Sequence, residues 1–120
     1  MTSKASISND DGAVVIKIID GKCARPYKAK QIIFSQGDPG DAIFYIQKGK
    51  VKLTVLSERG KEAIVGVLEI NAFFGEQCLA REPLRVMTAT AAEDCSIIRI
   101  EKGRMLRILR SDPEVSERFV

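Results

Sequence analysis

The chain has 120 residues, of which 45% are hydrophobic and 29% charged, and its formal net charge is +3. This composition predicts one globular domain, and the charge is too small by itself to indicate nucleic-acid binding. The sequence contains no histidine, which excludes serine–histidine and cysteine–histidine catalysis and every histidine-ligated metal site. Because the common enzyme motifs for phosphate binding and nucleophiles are also missing, we expect no catalytic residue, no metal site and no enzyme activity.

The N-terminal residues and the cysteines indicate the cellular compartment in which the protein is expected. Residues 1–12 are polar and lack the apolar segment of a signal peptide, and no apolar run approaches the roughly 18 residues of a membrane span. Cys23, Cys78 and Cys95 are odd in number and widely spaced, which suits reduced thiols. We therefore expect a cytoplasmic protein without membrane contact, and a flexible tail at residues 1–12.

The predicted elements are mostly short strands. Residues 13–19, AVVIKII, fit either a strand or two turns of apolar helix, and the period does not decide between them. Strands are predicted at residues 27–35, 42–47, 51–56, 63–68, 87–92 and 95–100. Turn residues separate most of them, as in the segment GDPGD at 37–41. Strands at this spacing indicate an antiparallel barrel or sandwich.

Helices are predicted after the last strand. Apolar residues recur at helical spacing in residues 102–110, so an amphipathic helix is expected there. Asp112 and Pro113 fit the N-cap and first position of a second helix, and Ser111 with Glu114 has the spacing of a capping box. Both registers predict a helix that continues to the end of the chain.

Residues 36–91 contain a series of short motifs: Gly37-Asp38, then Tyr45-Ile46, then Gly49-Lys50-Val51, followed by Phe74-Gly75-Glu76 and by Arg85. In order and spacing, this series resembles the cyclic-nucleotide-binding domain of CRP/FNR-type transcription regulators. Phe74-Gly75-Glu76 resembles the head of the family's phosphate-binding cassette, and Arg85 resembles its basic residue. The resemblance implies a mainly β fold, an antiparallel jelly-roll β-barrel with flanking helices.

The same resemblance implies a domain organisation and a set of partners. Residues 13–111 would form the sensor domain, and residues 112–120 would begin a dimerisation helix. The longer protein would be a homodimer that senses a small-molecule effector. It would bind DNA through a helix-turn-helix domain that these 120 residues do not contain. Transcription regulation would then follow from a change in the orientation of the dimerisation helix.

The candidate ligand site is the cassette. A cyclic phosphate needs backbone N–H groups and an arginine, whereas a ribose hydroxyl needs a carboxylate acceptor. The resemblance assigns Arg85 to the phosphate and Glu76 to the ribose of cAMP or cGMP. The ligand-binding residues it implies are Gly75, Glu76, Gln77, Cys78, Leu79, Arg85, Val86 and Met87. Val86 and Met87 depart from the family, which has a small hydroxyl residue and then alanine at these positions.

Several alternatives remain open at this stage. The barrel would also suit the regulatory module of a signalling enzyme or channel. It would equally suit an interaction domain without a nucleotide, in which Arg85 pairs with Glu82 or Glu76. Cys78 is either a redox-sensitive thiol or, as is commoner, a small buried side chain.

Overall fold

The structure, a computed structural model, describes residues 12–80 and 83–119. It has three helices, α1 (Gly12–Ile19), α2 (Lys102–Ser111) and α3 (Pro113–Phe119), and a 3₁₀ turn at Glu76–Leu79. The strands are β1 (Ala24–Tyr27), β2 (Ile32–Phe34), β3 (Ala42–Lys48), β4 (Val51–Leu56), β5 (Glu62–Leu68), β6 (Phe73–Phe74), β7 (Thr88–Ala91) and β8 (Cys95–Glu101). No helix in the described ranges is long and apolar enough to cross a membrane.

Two predictions about the first third of the chain are decided by the structure. Residues 13–19 are helical, and α1 buries Val14, Val15 and Ile18 on one face. The single strand predicted at residues 27–35 is wrong, because β1 ends at Tyr27 and β2 begins at Ile32. A turn separates them, in which Gln31 N–H donates to Lys28 O. The predicted tail lies outside the described residues, except that Gly12 begins α1.

The strands form two antiparallel sheets in a jelly roll, as predicted. One sheet has the order β1-β8-β3-β6 and the other the order β2-β7-β4-β5. An inner core lies between the sheets and includes Phe34, Phe44, Phe74 and Ile97. An outer core lies between the first sheet and the helices, and it is formed by buried residues such as Val14, Ile18, Ile43, Ile98, Met105 and Val115. The helices therefore cover the face of the first sheet that points away from the second sheet.

Helix α1 contacts the junction between α2 and α3. Arg104 of α2 donates to the backbone carbonyls of Ile18 and Asp20 at the end of α1. Lys17 of α1 lies 3.0 Å from Asp112 and 2.9 Å from Glu114. Hydrogen bonds to Glu114 and Asp112 raise the pKa of Lys17, and the bond from Lys17 lowers the pKa of Asp112. These contacts join α1 to α2 and to the start of α3.

Asp112 is the N-cap of α3, as one of the two predicted registers requires. Its side chain accepts from the backbone N–H groups of Glu114 and Val115. Ser111 instead ends α2, and its hydroxyl donates to Arg107 O. The capping-box register is therefore wrong, because the Ser111 side chain bonds backward into its own helix.

We expect Asp112→Asn to lower the stability near neutral pH more than at acidic pH. Asparagine keeps a good N-cap but removes the charge that Lys17 contacts. Because the folded-state pKa of Asp112 is lowered, its charge stabilises the fold above the unfolded pKa of about 3.9. That contribution is lost as the pH falls through the folded pKa. Urea unfolding midpoints of both proteins, measured at neutral and acidic pH, test this.

The control for this prediction is the same substitution in a Lys17→Met background. There the charge has lost its partner, so the pH-dependent difference between aspartate and asparagine should shrink. A difference that is unchanged at acidic pH would assign the effect to the cap geometry and contradict the prediction.

Candidate functional site

The turn between β2 and β3 holds the backbone of Arg85. Arg85 N–H donates to Asp38 O at 2.7 Å, and Gly37 N–H donates to Arg85 O at 2.8 Å. Gly40 N–H also donates to Pro83 O at 2.8 Å. The Gly37-Asp38 pair, which carried part of the family resemblance, thus fixes the position of the candidate phosphate-binding residue.

The Arg85 side chain is buried, with 6% of its surface exposed. Its Nη1 donates to Gly75 O at 2.8 Å, and its Nη2 donates to Ala42 O at 2.6 Å. Its Nε is buried and has no hydrogen-bond partner among the described residues. No carboxylate in the described ranges pairs with this guanidinium, so a full positive charge lies inside the fold with two neutral acceptors.

Two phenylalanine rings contact the Arg85 guanidinium, and a third ring packs against one of them. Its central carbon lies 4.2 Å from the centroid of the Phe34 ring and 5.6 Å from that of Phe44. The Phe44 and Phe74 rings stack at a centroid distance of 5.2 Å. A cation over an aromatic face is attracted to the electrons of the ring. This attraction offsets part of the cost of burying the charge.

Gly75 is in direct contact with the Arg85 side chain, because its carbonyl accepts from Arg85 Nη1. Its φ is +81°, in the left-handed region, and it directly precedes the 3₁₀ turn. A Cβ at this position would lie 2.8 Å from Arg85 Nη1 and 3.3 Å from the Phe34 ring. Only glycine therefore allows both the backbone conformation and the close approach of the guanidinium.

We expect Gly75→Ala to destabilise the fold more than Gly60→Ala. Gly60 has the same φ of +81°, but a Cβ there would meet no atom within 4 Å. Each variant bears the cost of a left-handed alanine, roughly 1–2 kcal/mol, and only Gly75→Ala also displaces Arg85. Urea unfolding of both variants measures the difference. Equal losses would show that Arg85 and the Phe34 ring accommodate the added Cβ without cost, and would contradict the prediction.

The predicted ligand-binding residues divide into buried and exposed groups. Gly75, Cys78 and Arg85 are buried, Leu79 and Met87 are half-buried, and Glu76, Gln77 and Val86 are exposed. The structure brings Gly75 and Arg85 into direct contact. Glu76 and Arg85 form no ion pair, so that part of the alternative interpretation is wrong, and Glu82 lies outside the described residues.

Cys78 is a buried side chain, with 2% of its surface exposed. Its thiol lies 3.5 Å from Ala42 O, the carbonyl that Arg85 Nη2 also contacts. Burial raises the pKa of the Cys78 thiol, although the nearby Arg85 acts in the opposite direction. A raised pKa and a buried sulfur favour the interpretation as a small packed residue over a reactive thiolate.

The first hydroxyl after Arg85 in the chain belongs to Thr88, three residues further on. The Thr88 hydroxyl accepts from Gln36 N–H at 2.9 Å. Val86 itself is 39% exposed. The strand predicted from residue 87 begins one residue later, so Arg85 and Val86 lie in the irregular segment before it.

The sequence did not indicate the role of Ala42, since any residue type supplies a backbone carbonyl. Arg25 and Arg99 were also missed, and they lie with Arg85 around one cavity. The alternation of β8 contained a signal for Arg99, which follows Ile97 at the spacing of one sheet face. Among the described residues, no three His, Cys, Asp or Glu side chains lie close enough together to hold a metal ion.

The family model of the cyclic nucleotide-binding domain matches residues 24–112. The chain belongs to this family. A cyclic AMP receptor protein of Thermus thermophilus is 33% identical over 92 residues, covering 77% of this chain and 43% of the relative. A cyclic nucleotide-gated potassium channel of Mesorhizobium japonicum is 31% identical over 109 residues, covering 89% of this chain and 28% of the channel. The domain spans less than half the length of either relative.

A solved structure supports the same assignment. The catabolite activator protein of Thermus thermophilus superposes on this domain with a TM-score of 0.79 and 27% identity. The match covers 92% of this chain and 51% of that structure. The predicted family and jelly-roll fold are thus confirmed.

Proposed function

We propose that this domain is the ligand-sensing part of a CRP/FNR-type transcription regulator and that its effector is a cyclic nucleotide, cAMP or cGMP. The observation that carries the proposal is the buried guanidinium of Arg85 lying directly on Gly75, the residue before the Glu76–Leu79 turn. A buried cation without a carboxylate partner favours an anionic ligand. The cyclic phosphate would take over donors that Arg85 now directs at backbone carbonyls.

Glu76 is the candidate partner of the ribose. It is exposed on the 3₁₀ turn and forms no hydrogen bond or ion pair with the other described residues. An unpaired carboxylate next to the Arg85 contact at Gly75 is free to accept from a ribose hydroxyl. Gln77, Cys78, Leu79, Val86 and Met87 would complete the site around these two residues.

A chain of hydrogen bonds connects the proposed site to the helices. Arg85 Nη2 contacts Ala42 O at the start of β3, and the preceding Asp41 O accepts from Lys102 N–H, the first residue of α2, at 2.9 Å. A ligand that withdraws Arg85 from Ala42 would disturb this connection. The proposed signal is then a shift in the populations of two helix arrangements.

Residues 13–111 would be the sensor, and α3 from Asp112 onward would begin the helix that joins two subunits. In the longer protein this helix would position a DNA-binding domain, and the work of the domain would be regulatory rather than catalytic. The match to a potassium channel keeps a second candidate, a regulatory module of a channel. The sequence that follows residue 120 distinguishes the two, since a helix-turn-helix pattern there supports the regulator.

Isothermal titration calorimetry with cAMP and with cGMP tests the proposed effector. We expect saturable binding of at least one of them to the 120-residue chain. Replacement of Arg85 by lysine should weaken it, because lysine keeps the charge but not the planar donor geometry. An absence of binding of both nucleotides at high micromolar concentration would overturn the effector proposal.

A further inference from the structure

Two arginines lie on the inner face of the first sheet, at one end of the jelly roll. In the β1–β8 ladder Arg25 lies opposite Ile97, and in the β8–β3 ladder Arg99 lies opposite Phe44. Residues directly opposite each other share a face of the sheet. Because Ile97 and Phe44 belong to the inner core, both arginines lie on the inner face.

Arginine is an unusual choice at such a position. Ile98 and Ile100 of β8 are buried in the outer core, and Ile97 is buried in the inner core. The next inward residue of the strand is Arg99, where packing alone would favour another apolar side chain. The change from isoleucine to arginine on one face indicates a polar site at this end of the fold.

The two arginines border a cavity of about 280 Å³, which Arg85, Phe34 and Phe44 also line. We name it the mouth cavity. Arg85 is the deepest charged residue in its lining, and its Nε is a buried donor without an acceptor among the described residues. The cavity is slightly smaller than the roughly 300–1,000 Å³ of typical small-molecule sites, which favours a small ion.

The carboxylates of the mouth cavity already have partners. Asp41 lies 3.2 Å from Arg99, which is also 3.7 Å from Glu101. Asp38 accepts from the backbone N–H of Ser35 at 3.0 Å. Asp41 and Glu101 therefore offset the charge of Arg99. Asp38 stabilises the turn that contains it.

The other two arginines of the lining have no ion-pair partner. Arg25 and Arg85 form no ion pair with any carboxylate in the described part of the chain. With three arginines and two aspartates in its lining, the mouth cavity has one positive charge in excess. Such a site favours an anion that accepts several charge-assisted hydrogen bonds.

We propose that the mouth cavity binds a small anion, a phosphate or a short carboxylate, between Arg25, Arg85 and Arg99. The anion lies beside the guanidinium group of Arg85, which lines the cavity. This site is distinct from the proposed nucleotide site, and the two share only Arg85. Occupancy of the mouth cavity would hold Arg85 in its present position and oppose its withdrawal towards a nucleotide.

Nuclear magnetic resonance of the ¹⁵N-labelled chain tests the proposal, with the Arg85 Nε–H signal as the readout. The signal is identified by its loss in Arg85→Lys. Inorganic phosphate and acetate are titrated separately at constant ionic strength, with chloride as the reference ion. We expect a saturable shift with phosphate, with acetate or with both, and none with chloride. The anion that gives the shift identifies the ligand class.

Variants locate the anion. In Arg25→Gln/Arg99→Gln we expect the apparent affinity to fall at least about tenfold, as the loss of one charge-assisted hydrogen bond implies. Arg59→Gln, in the exposed β4–β5 turn, is the matched control and should behave like the native chain. An unchanged affinity in the double variant, or no shift with either anion, overturns the proposal.

The outcome is separable from that of the nucleotide proposal. Glu76→Gln should leave the phosphate or acetate shift unchanged, because Glu76 does not line the mouth cavity. A shift that disappears in Glu76→Gln places the anion in the cassette and overturns the mouth site. Failure of cAMP and cGMP to bind, together with an anion shift that depends on Arg25 and Arg99, overturns the effector proposal alone.

Discussion

Arg85→Ala is expected to lower the free energy of unfolding by about 2–4 kcal/mol, through the loss of two charge-assisted hydrogen bonds and of the cation–π contacts with Phe34 and Phe44. The substitution removes the guanidinium N–H groups that donate to Ala42 O and Gly75 O. It also leaves a cavity beside the Phe34 ring. Cys78 contacts the same carbonyls only at 3.5 Å, so it does not replace the lost bonds. Urea unfolding, followed by far-ultraviolet circular dichroism, measures the change.

Arg59→Ala is the control, since Arg59 is an exposed arginine in the β4–β5 turn. We expect it to change the free energy of unfolding by less than about 0.5 kcal/mol. Arg85→Lys separates charge from geometry, because a lysine reaches one carbonyl but not two in a plane. An Arg85→Ala variant as stable as the control would mean that burial of the unpaired charge costs as much as its contacts contribute.

Much of the fold was predictable from local patterns. The strand at 51–56 and the helix from residue 102 were expected at these positions, because alternation and helical spacing are local properties. The turn within residues 27–35 was not predictable, because Lys28, Ala29 and Lys30 are not typical turn residues. The structure places Lys30 at φ +75°, and the Ala29 N–H bonds to Asp94. The contact between Ala29 and Asp94 joins residues far apart in the chain, so the local sequence does not predict it.

The candidate site was predictable only in part. Gly75 and Arg85 were identified through a family resemblance, and their contact in the structure is a geometric finding. The Ala42 carbonyl was not predictable, because hydrogen bonds to backbone place no demand on residue type. The position of Arg25 on the inner face of the sheet was also not predictable. It depends on the pairing of β1 with β8, which is a feature of the tertiary structure.

Glu76→Gln is expected to weaken cyclic-nucleotide binding by about 10- to 100-fold, the range for loss of a hydrogen bond to a charged group. Its stability should stay within about 0.5 kcal/mol of the native chain, because Glu76 is exposed and unpaired with the other described residues. Titration calorimetry measures the affinity, and urea unfolding measures the stability. Glu69→Gln, at an exposed carboxylate outside the proposed site, is the control for the loss of one negative charge.

The 2′-deoxy form of the nucleotide turns this prediction into a test of the contact itself. If Glu76 accepts from the ribose 2′-hydroxyl, removal of the hydroxyl weakens binding to the native chain but has a much smaller effect on Glu76→Gln. The two losses are then not additive, as expected for two groups in direct contact. Additive losses would show that Glu76 acts on binding from elsewhere, through the field of its charge or the shape of the turn, and the ribose would need another partner.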